Sequence, residues 1–209
     1  MGTPMVARLL DAGFSLTLWN RTPAKAEAFA GRVRLAASPA EAVADADVVI
    51  TMLESGQVVE QVLYQSGAVS QLRQGALVID MSSIEPGVAR GHAARIEALG
   101  GDYLDAPVSG GTRGAEAGTL SIMVGGGDEA FVRAAEVFQP MGAVTHIGPV
   151  GSGQLAKLAN QAIVGITIGA VSEALLLAAK GGARPEKVRE ALLGGFAGSK
   201  ILEQHGERM

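Results

Sequence analysis

Short apolar runs, rich in β-branched residues, alternate with helical patterns from residue 15 to residue 147, and then the alternation stops. The runs lie at 15–19, 33–36, 48–52, 77–81, 103–106, 120–124 and 144–147, and each reads as a strand. Between them lie helical stretches, several with proline in the first turn: Pro4, Pro23, Pro39 and Pro86. Proline is tolerated there because that N–H has no partner within the helix. Strands that carry almost no charge must be covered on both faces. The pattern therefore predicts an α/β fold of the Rossmann type, a doubly wound and mostly parallel sheet.

The character changes at the glycine-rich segment 148–153, GPVGSG, read as a hinge. One long helical pattern follows at 154–180, then helical stretches at 185–193 and 199–209. Two domains are expected: residues 1–148, and residues 149–209 as the first part of an all-helical domain. The first residues run straight into a helix, whereas a sheet of this kind starts with a strand. The last helical stretch has no C-terminal cap.

Composition narrows the function. Hydrophobic residues make up 48% and charged residues 18%, which excludes a disordered chain. Net charge is −4 and aromatics are only 4%, so neither a basic footprint nor a base-stacking surface for nucleic acid is present. Glycine stands at 29 of 209 residues, roughly double the ~7% average, which suggests many tight turns. Cysteine is absent, which removes disulfides, thiol chemistry and cysteine-bound zinc, and the opening segment does not read as a signal peptide. A cytoplasmic location is expected. His92, His146 and His205 share no ligand spacing, so no metal site is expected. The apolar stretch 162–179 has the length of a minimal membrane span but carries Glu173. It reads as a buried helix of a soluble protein.

Three constellations carry chemistry. Gly2 precedes the first helix, where a dinucleotide turn would sit. About twenty residues on, at the end of the next strand, such a domain places the residue that reads the ribose. Asn20, Arg21 and Thr22 stand there, and an amide, a guanidinium and a hydroxyl suit a 2′-phosphate better than an acid would. A plain polar turn would look the same. The second constellation is DAPVSGG at 105–111, in which Ser109, Gly110 and Gly111 offer a hydroxyl beside backbone amides that no Cβ shields. The third is GSGQLAKLANQ at 151–161. Lys157 and Gln161 are four apart on a helix and share a face, with Asn160 alongside. A lysine in apolar surroundings can have its pKa lowered toward the range of general acid–base work.

Together these segments resemble the β-hydroxyacid dehydrogenase family. MGTPM at 1–5 is similar to the end of its dinucleotide turn, VVITML at 48–53 to its adenosine-side loop, and DMSSIEP at 80–86 to its nicotinamide-side loop. DAPVSGG is similar to the substrate signature, GTLSIMVGG at 118–126 to a further family stretch, and GSGQLAKLANQ to the catalytic helix. The resemblance implies that residues 1–148 form the NAD(P)-binding domain and 149–209 part of a substrate and dimerisation domain. It also implies a first strand and a later helical segment that the chain does not contain.

What the resemblance implies about chemistry is a reversible hydride transfer between nicotinamide and a small 3-hydroxy acid or semialdehyde. Lys157 would be catalytic, and Ser109, Gly110, Gly111, Asn160 and Gln161 would hold a carboxylic acid substrate. Gly2, Asn20, Arg21, Thr22, Met52, Leu53 and Ser83 would hold the cofactor, NADP with NAD possible. KLANQ and the segment GGFAGS at 194–199 look most like the tartronate semialdehyde (2-hydroxy-3-oxopropionate) reductases of that family. Hydroxyisobutyrate, succinic semialdehyde or glyoxylate specificity, or a non-catalytic NADP-binding module, are the alternatives. A homodimer or homotetramer is expected, with no nucleic acid or membrane partner.

Overall fold

The computed structural model describes residues 1–207. The chain divides into two compact units, Met1–Lys157 and Leu158–Met209. The first unit runs α1 (Gly2–Asp11), β1 (Thr17–Leu18), α2 (Pro23–Glu27), β2 (Arg34–Leu35), α3 (Pro39–Val43), β3 (Val48–Thr51) and α4 (Gly56–Glu60). It continues with β4 (Leu77–Asp80), α5 (Pro86–Glu97), β5 (Asp102–Asp105), β6 (Val108–Ser109), α6 (Gly111–Ala117), β7 (Leu120–Gly125), α7 (Asp128–Phe138) and β8 (Gly142–Gly148). A helix α8 (Ser152–Lys180) begins in the first unit and continues into the second, which adds α9 (Pro185–Leu193) and α10 (Lys200–His205).

Local chemistry sets several boundaries. Pro23, Pro39 and Pro86 open α2, α3 and α5, where their missing N–H groups cost nothing. Ser38, Ser55 and Ser199 cap α3, α4 and α10 by accepting a backbone N–H two or three residues into the helix.

The main sheet has the order β3-β4-β5-β7-β6, with β8 beside β7. β3, β4 and β5 are parallel, β7 runs antiparallel to β5 and β6, and β8 is parallel to β7. β1 and β2 pair with each other in a separate parallel ribbon. β4 shows why the sheet is covered on both faces. Leu77 and Ile79 pack with Met5 and Leu9 of α1 and Phe138 of α7, whereas Val78 packs with Val59 of α4 and Ile96 of α5. All three β4 residues are fully buried, and each such side chain contributes about 1.5–3 kcal/mol to stability.

Some expectations are corrected. The strands expected at 15–19 and 33–36 shorten to two residues each, because each has only the other to pair with. β6 was not anticipated, since two residues after Pro107 cannot display a period. The final helix ends at His205 rather than running to 209, and residues 208–209 lie outside the described part. The segment 148–153 is not a free hinge. A Cβ at Gly153 would lie 2.6 Å from the Asp105 carbonyl and closer still to that of Met123, so this glycine lets α8 begin directly against two strands.

The second unit is small. Val171 and Leu175 of α8 pack with Leu202 of α10, and Val188 and Leu192 of α9 lie against them. Ile163, Ile166 and Leu177 on α8 are 67–75% exposed. The stretch 162–179 is therefore not the buried helix expected from the sequence: by length and composition alone α8 could cross a membrane, and only 11% of its most apolar window is buried.

Candidate active site

In parallel α/β sheets, ligands bind beyond the carboxyl ends of the strands. Three strand ends build such a site here. At the end of β4, Asp80 is fully buried, and Oδ1 accepts hydrogen bonds from the Thr51 hydroxyl (2.8 Å) and the Ser82 amide (3.0 Å). Oδ2 accepts from the Tyr103 hydroxyl at 3.3 Å. The Ser82 hydroxyl in turn accepts from the Leu53 amide at 2.9 Å, so the loops after β3 and β4 are fastened together. Burial pushes the Asp80 carboxyl above its usual range, against the pull of its hydrogen bonds.

Asp105 ends β5 and is the register partner of Asp80. Its Oδ1 accepts from the Gly151 amide (2.6 Å) and its Oδ2 from the Gln154 amide (2.8 Å), so it caps the start of α8 from a neighbouring strand. Burial raises its pKa from 3.8 to about 6, with the two amides opposing. About one and a half turns into α8, Lys157 lies half-buried, and its Nζ donates to the Val108 carbonyl oxygen at 2.8 Å. Burial lowers its pKa from the ordinary lysine value. Val108 leads directly into Ser109, Gly110 and Gly111. Gly110 and Gly111 have φ of +133° and +64°, which favour glycine, and a Cβ at Gly110 would press on Leu120 at 3.2 Å.

A separate cavity of about 470 Å³ lies beside the loop after β3. Asn20, Arg21, Thr22, Met52 and Leu53 all line it, together with Trp19 and Lys25. Its walls combine an indole and aliphatic side chains with two cations, a donor set that fits a phosphorylated adenosine. Arg21 lies 3.9 Å from Glu54, which also lines the cavity. Gly2 is the first residue of α1, whose N-terminus has no side-chain cap among the described residues, and among those residues a Cβ at Gly2 would meet nothing within 4 Å. Such an end can receive an anion.

The structure thus brings Lys157 to the turn holding Ser109, Gly110 and Gly111, and gathers five of the expected cofactor residues around one cavity. Ser83 is exposed between two buried neighbours, Ser82 and Ile84. Asn160 and Gln161 lie in the second unit, where the Asn160 amide donates to Gln161 Oε1 at 3.0 Å. Asp80, Gln154, Lys25 and Glu54 were not anticipated, and Ser82 was expected only as a neighbour of Ser83 in the nicotinamide-side loop. DMSSIEP and GSGQLAK do contain Asp80 and Gln154, but a motif does not show which member is buried. Among the described residues, no cluster of three or more metal-binding side chains is found.

The family described as the NAD-binding domain of 6-phosphogluconate dehydrogenase matches residues 1–148. A second, the NAD-binding domain of NADP-dependent 3-hydroxyisobutyrate dehydrogenase, matches residues 151–209. The chain belongs to the 3-hydroxyisobutyrate dehydrogenase family. The 2-hydroxy-3-oxopropionate reductase of Escherichia coli (strain K12) is 47% identical over 214 residues, covering 100% of this chain and 72% of that protein. A probable 3-hydroxyisobutyrate dehydrogenase-like protein 1, mitochondrial, of Arabidopsis thaliana is 39% identical, covering 100% of this chain and 64% of its own length. The structure of Mycobacterium tuberculosis 3-hydroxyisobutyrate dehydrogenase with L-serine superposes with a TM-score of 0.90 at 38% identity, covering 98% of this chain and 70% of that one. The chain therefore spans about two thirds of the length of these relatives. Its family is one of NAD(P)-dependent enzymes acting on small 3-hydroxy acids, and its fold is the Rossmann-like α/β domain followed by helices.

Proposed function

We propose that this protein catalyses the reversible reduction of 2-hydroxy-3-oxopropionate (tartronate semialdehyde), with NADP as the preferred cofactor. The observation that carries the reading is the half-buried Lys157, hydrogen-bonded at 2.8 Å to Val108 at the mouth of the Ser109–Gly110–Gly111 turn. When bound, the nicotinamide supplies the hydride for reduction or accepts it in oxidation. Lys157 gives a proton from Nζ to the substrate carbonyl oxygen in reduction and takes it back in oxidation. The Val108 carbonyl fixes one of its N–H bonds and leaves the others to the substrate. Its lowered pKa moves the amine toward the operating range of a general acid.

Ser109, Gly110 and Gly111 hold the substrate carboxylate through the hydroxyl and the unshielded amides, and Asn160 and Gln161 orient its oxygens. Gly2 and Ser83 contact the phosphate and nicotinamide portions of the cofactor. Asn20, Arg21 and Thr22 take the 2′-phosphate, with Met52 and Leu53 against the adenosine. The choice of substrate is supported by the 47% identity to the E. coli reductase and by KLANQ at 157–161. Residues 1–148 serve as the dinucleotide-binding domain and 149–209 as part of the substrate and oligomerisation domain. The protein is a cytoplasmic homodimer or homotetramer, and exposed apolar residues such as Ile166 on α8 support a protein-covered face.

Mixing the protein with NADPH and tartronate semialdehyde, while following nicotinamide absorbance, tests the reading. Oxidation of NADPH that disappears in Lys157→Ala is expected. Cofactor binding without turnover would instead support a non-catalytic module.

A further inference from the structure

We propose that Gln154 is a positioning residue, a clamp that holds the nicotinamide-side loop and Lys157 in one rigid frame. The inference rests on the catalytic assignment of Lys157 and extends it to a residue that does not touch substrate. Gln154 is 1% exposed. Its side-chain amide donates from Nε2 to the Ser82 carbonyl oxygen (2.9 Å) and accepts at Oε1 from the Ile84 amide (3.1 Å). The two bonds grip the peptide groups on either side of Ser83, as a neighbouring strand would, and leave the Ser83 side chain facing out.

The backbone of Gln154 is fixed as well. Its N–H donates to Asp105, and Gly153 beside it has no room for a Cβ. Ser82 continues the chain of bonds to Leu53 and Asp80. Lys157 stands three residues further along the same helix, less than one turn away. A displacement of the loop relative to the helix is therefore opposed by two buried hydrogen bonds, whose loss would leave buried polar groups unpaired.

The consequence is geometric. The hydride and the proton must reach adjacent atoms of one carbonyl group, and an error of about 1 Å in such an arrangement costs about 100-fold in rate. A glutamine meets this demand because it presents one donor and one acceptor in a plane, matching the C=O and N–H that flank Ser83.

The test uses Gln154→Met, which keeps length and removes both bonds, and Gln154→Glu, which keeps the acceptor for Ile84 and loses the donor to Ser82. Two ligands are titrated into each protein: NADPH, and 2′-phospho-ADP-ribose, which lacks the nicotinamide. The expected result is unchanged affinity for the fragment and about a tenfold loss of the preference for NADPH over it, with Gln154→Glu affected at least as strongly because a carboxylate oxygen then faces the Ser82 carbonyl oxygen. In turnover, kcat falls about tenfold or more while KM for the semialdehyde moves little. Circular dichroism confirms folding, and Gln154→Met carries the test if Gln154→Glu does not fold. An unchanged NADPH-to-fragment ratio overturns the clamp whatever the rate does. A wild-type protein that binds NADPH but reduces no semialdehyde refutes the activity and leaves the ratio to decide the clamp.

Discussion

Asp105→Asn separates the two forces acting on the buried carboxyl that caps α8. Burial disfavours its charge, while the Gly151 and Gln154 amides favour it, and burial wins, raising the pKa from 3.8 to about 6. At about 1.36 kcal/mol per tenfold in proton affinity, that gap is worth about 3 kcal/mol. The folded state holds the proton more tightly than the unfolded one. The contribution is therefore full below about pH 3.8 and is lost as pH rises through about 6. About 2 kcal/mol of the change falls between roughly pH 4.5 and pH 8. Asparagine does not titrate, so the difference in unfolding free energy between wild type and variant should shrink by about that amount across the range. Urea unfolding of both proteins at matched pH measures it, and other titrating groups largely cancel in the difference. Parallel curves would refute the raised pKa. A wild-type advantage that grows with pH would show that the two amides outweigh burial.

The remaining predictions concern function and a second buried group. Lys157→Ala should lower turnover by about 10²–10⁴ while leaving NADPH affinity within a few-fold, as measured by steady-state rates and fluorescence titration. Arg21→Asp should weaken NADPH about 10–100-fold and NADH far less; equal effects would remove Arg21 from the 2′-phosphate site. Glu54→Gln, which frees Arg21 of the acid 3.9 Å away, should shift preference a few-fold further toward NADPH in the same titration. His92 is 3% exposed, its Nδ1 has no hydrogen-bond partner among the described residues, and burial lowers its pKa. The stability it contributes is present above its unfolded pKa of about 6.5 and is lost as pH falls through the lower folded value. His92→Phe should flatten that acid-side loss in urea unfolding, and an unaltered loss would exclude His92 as its source.

The parts legible in the sequence are those whose cause is local. The runs at 48–52 and 77–81 become β3 and β4 because their own side chains demand burial on a sheet. Lys157 and the 109–111 turn stand out in the sequence because each lies in a short stretch of residues close along the chain, and the structure joins them through the Val108 carbonyl. What holds them together is not local. The bonds from Gln154 to Ser82 and Ile84 span 72 and 70 residues, and those from Asp105 to α8 span 46 and 49. A sequence shows a glutamine three residues before a lysine, not that its amide is buried against a strand end. The antiparallel turn of β7 is hidden for the same reason. An apolar run shows that a strand exists but not which way it pairs.

Asp80 and Asp105 end neighbouring strands as register partners, both fully buried and both with raised pKa values. They answer differently to loss of charge, because their donors differ. Asp105 receives two backbone N–H groups, which cannot reverse. An asparagine there turns one amide NH₂ toward a fixed donor and leaves a buried N–H without an acceptor, at about 1–3 kcal/mol. Asp80 receives one backbone N–H and two hydroxyls. Asparagine keeps Oδ1 for the Ser82 amide and the Thr51 hydroxyl, and directs its NH₂ at the Tyr103 hydroxyl, which can rotate to accept. It also removes a buried charge. At neutral pH Asp80→Asn should therefore be the more stable of the two variants, by about 1–3 kcal/mol in urea unfolding. If Asp80→Asn proves the less stable, the hydroxyls are not free to reverse, and the Asp80 charge itself holds the β3 and β4 loops together.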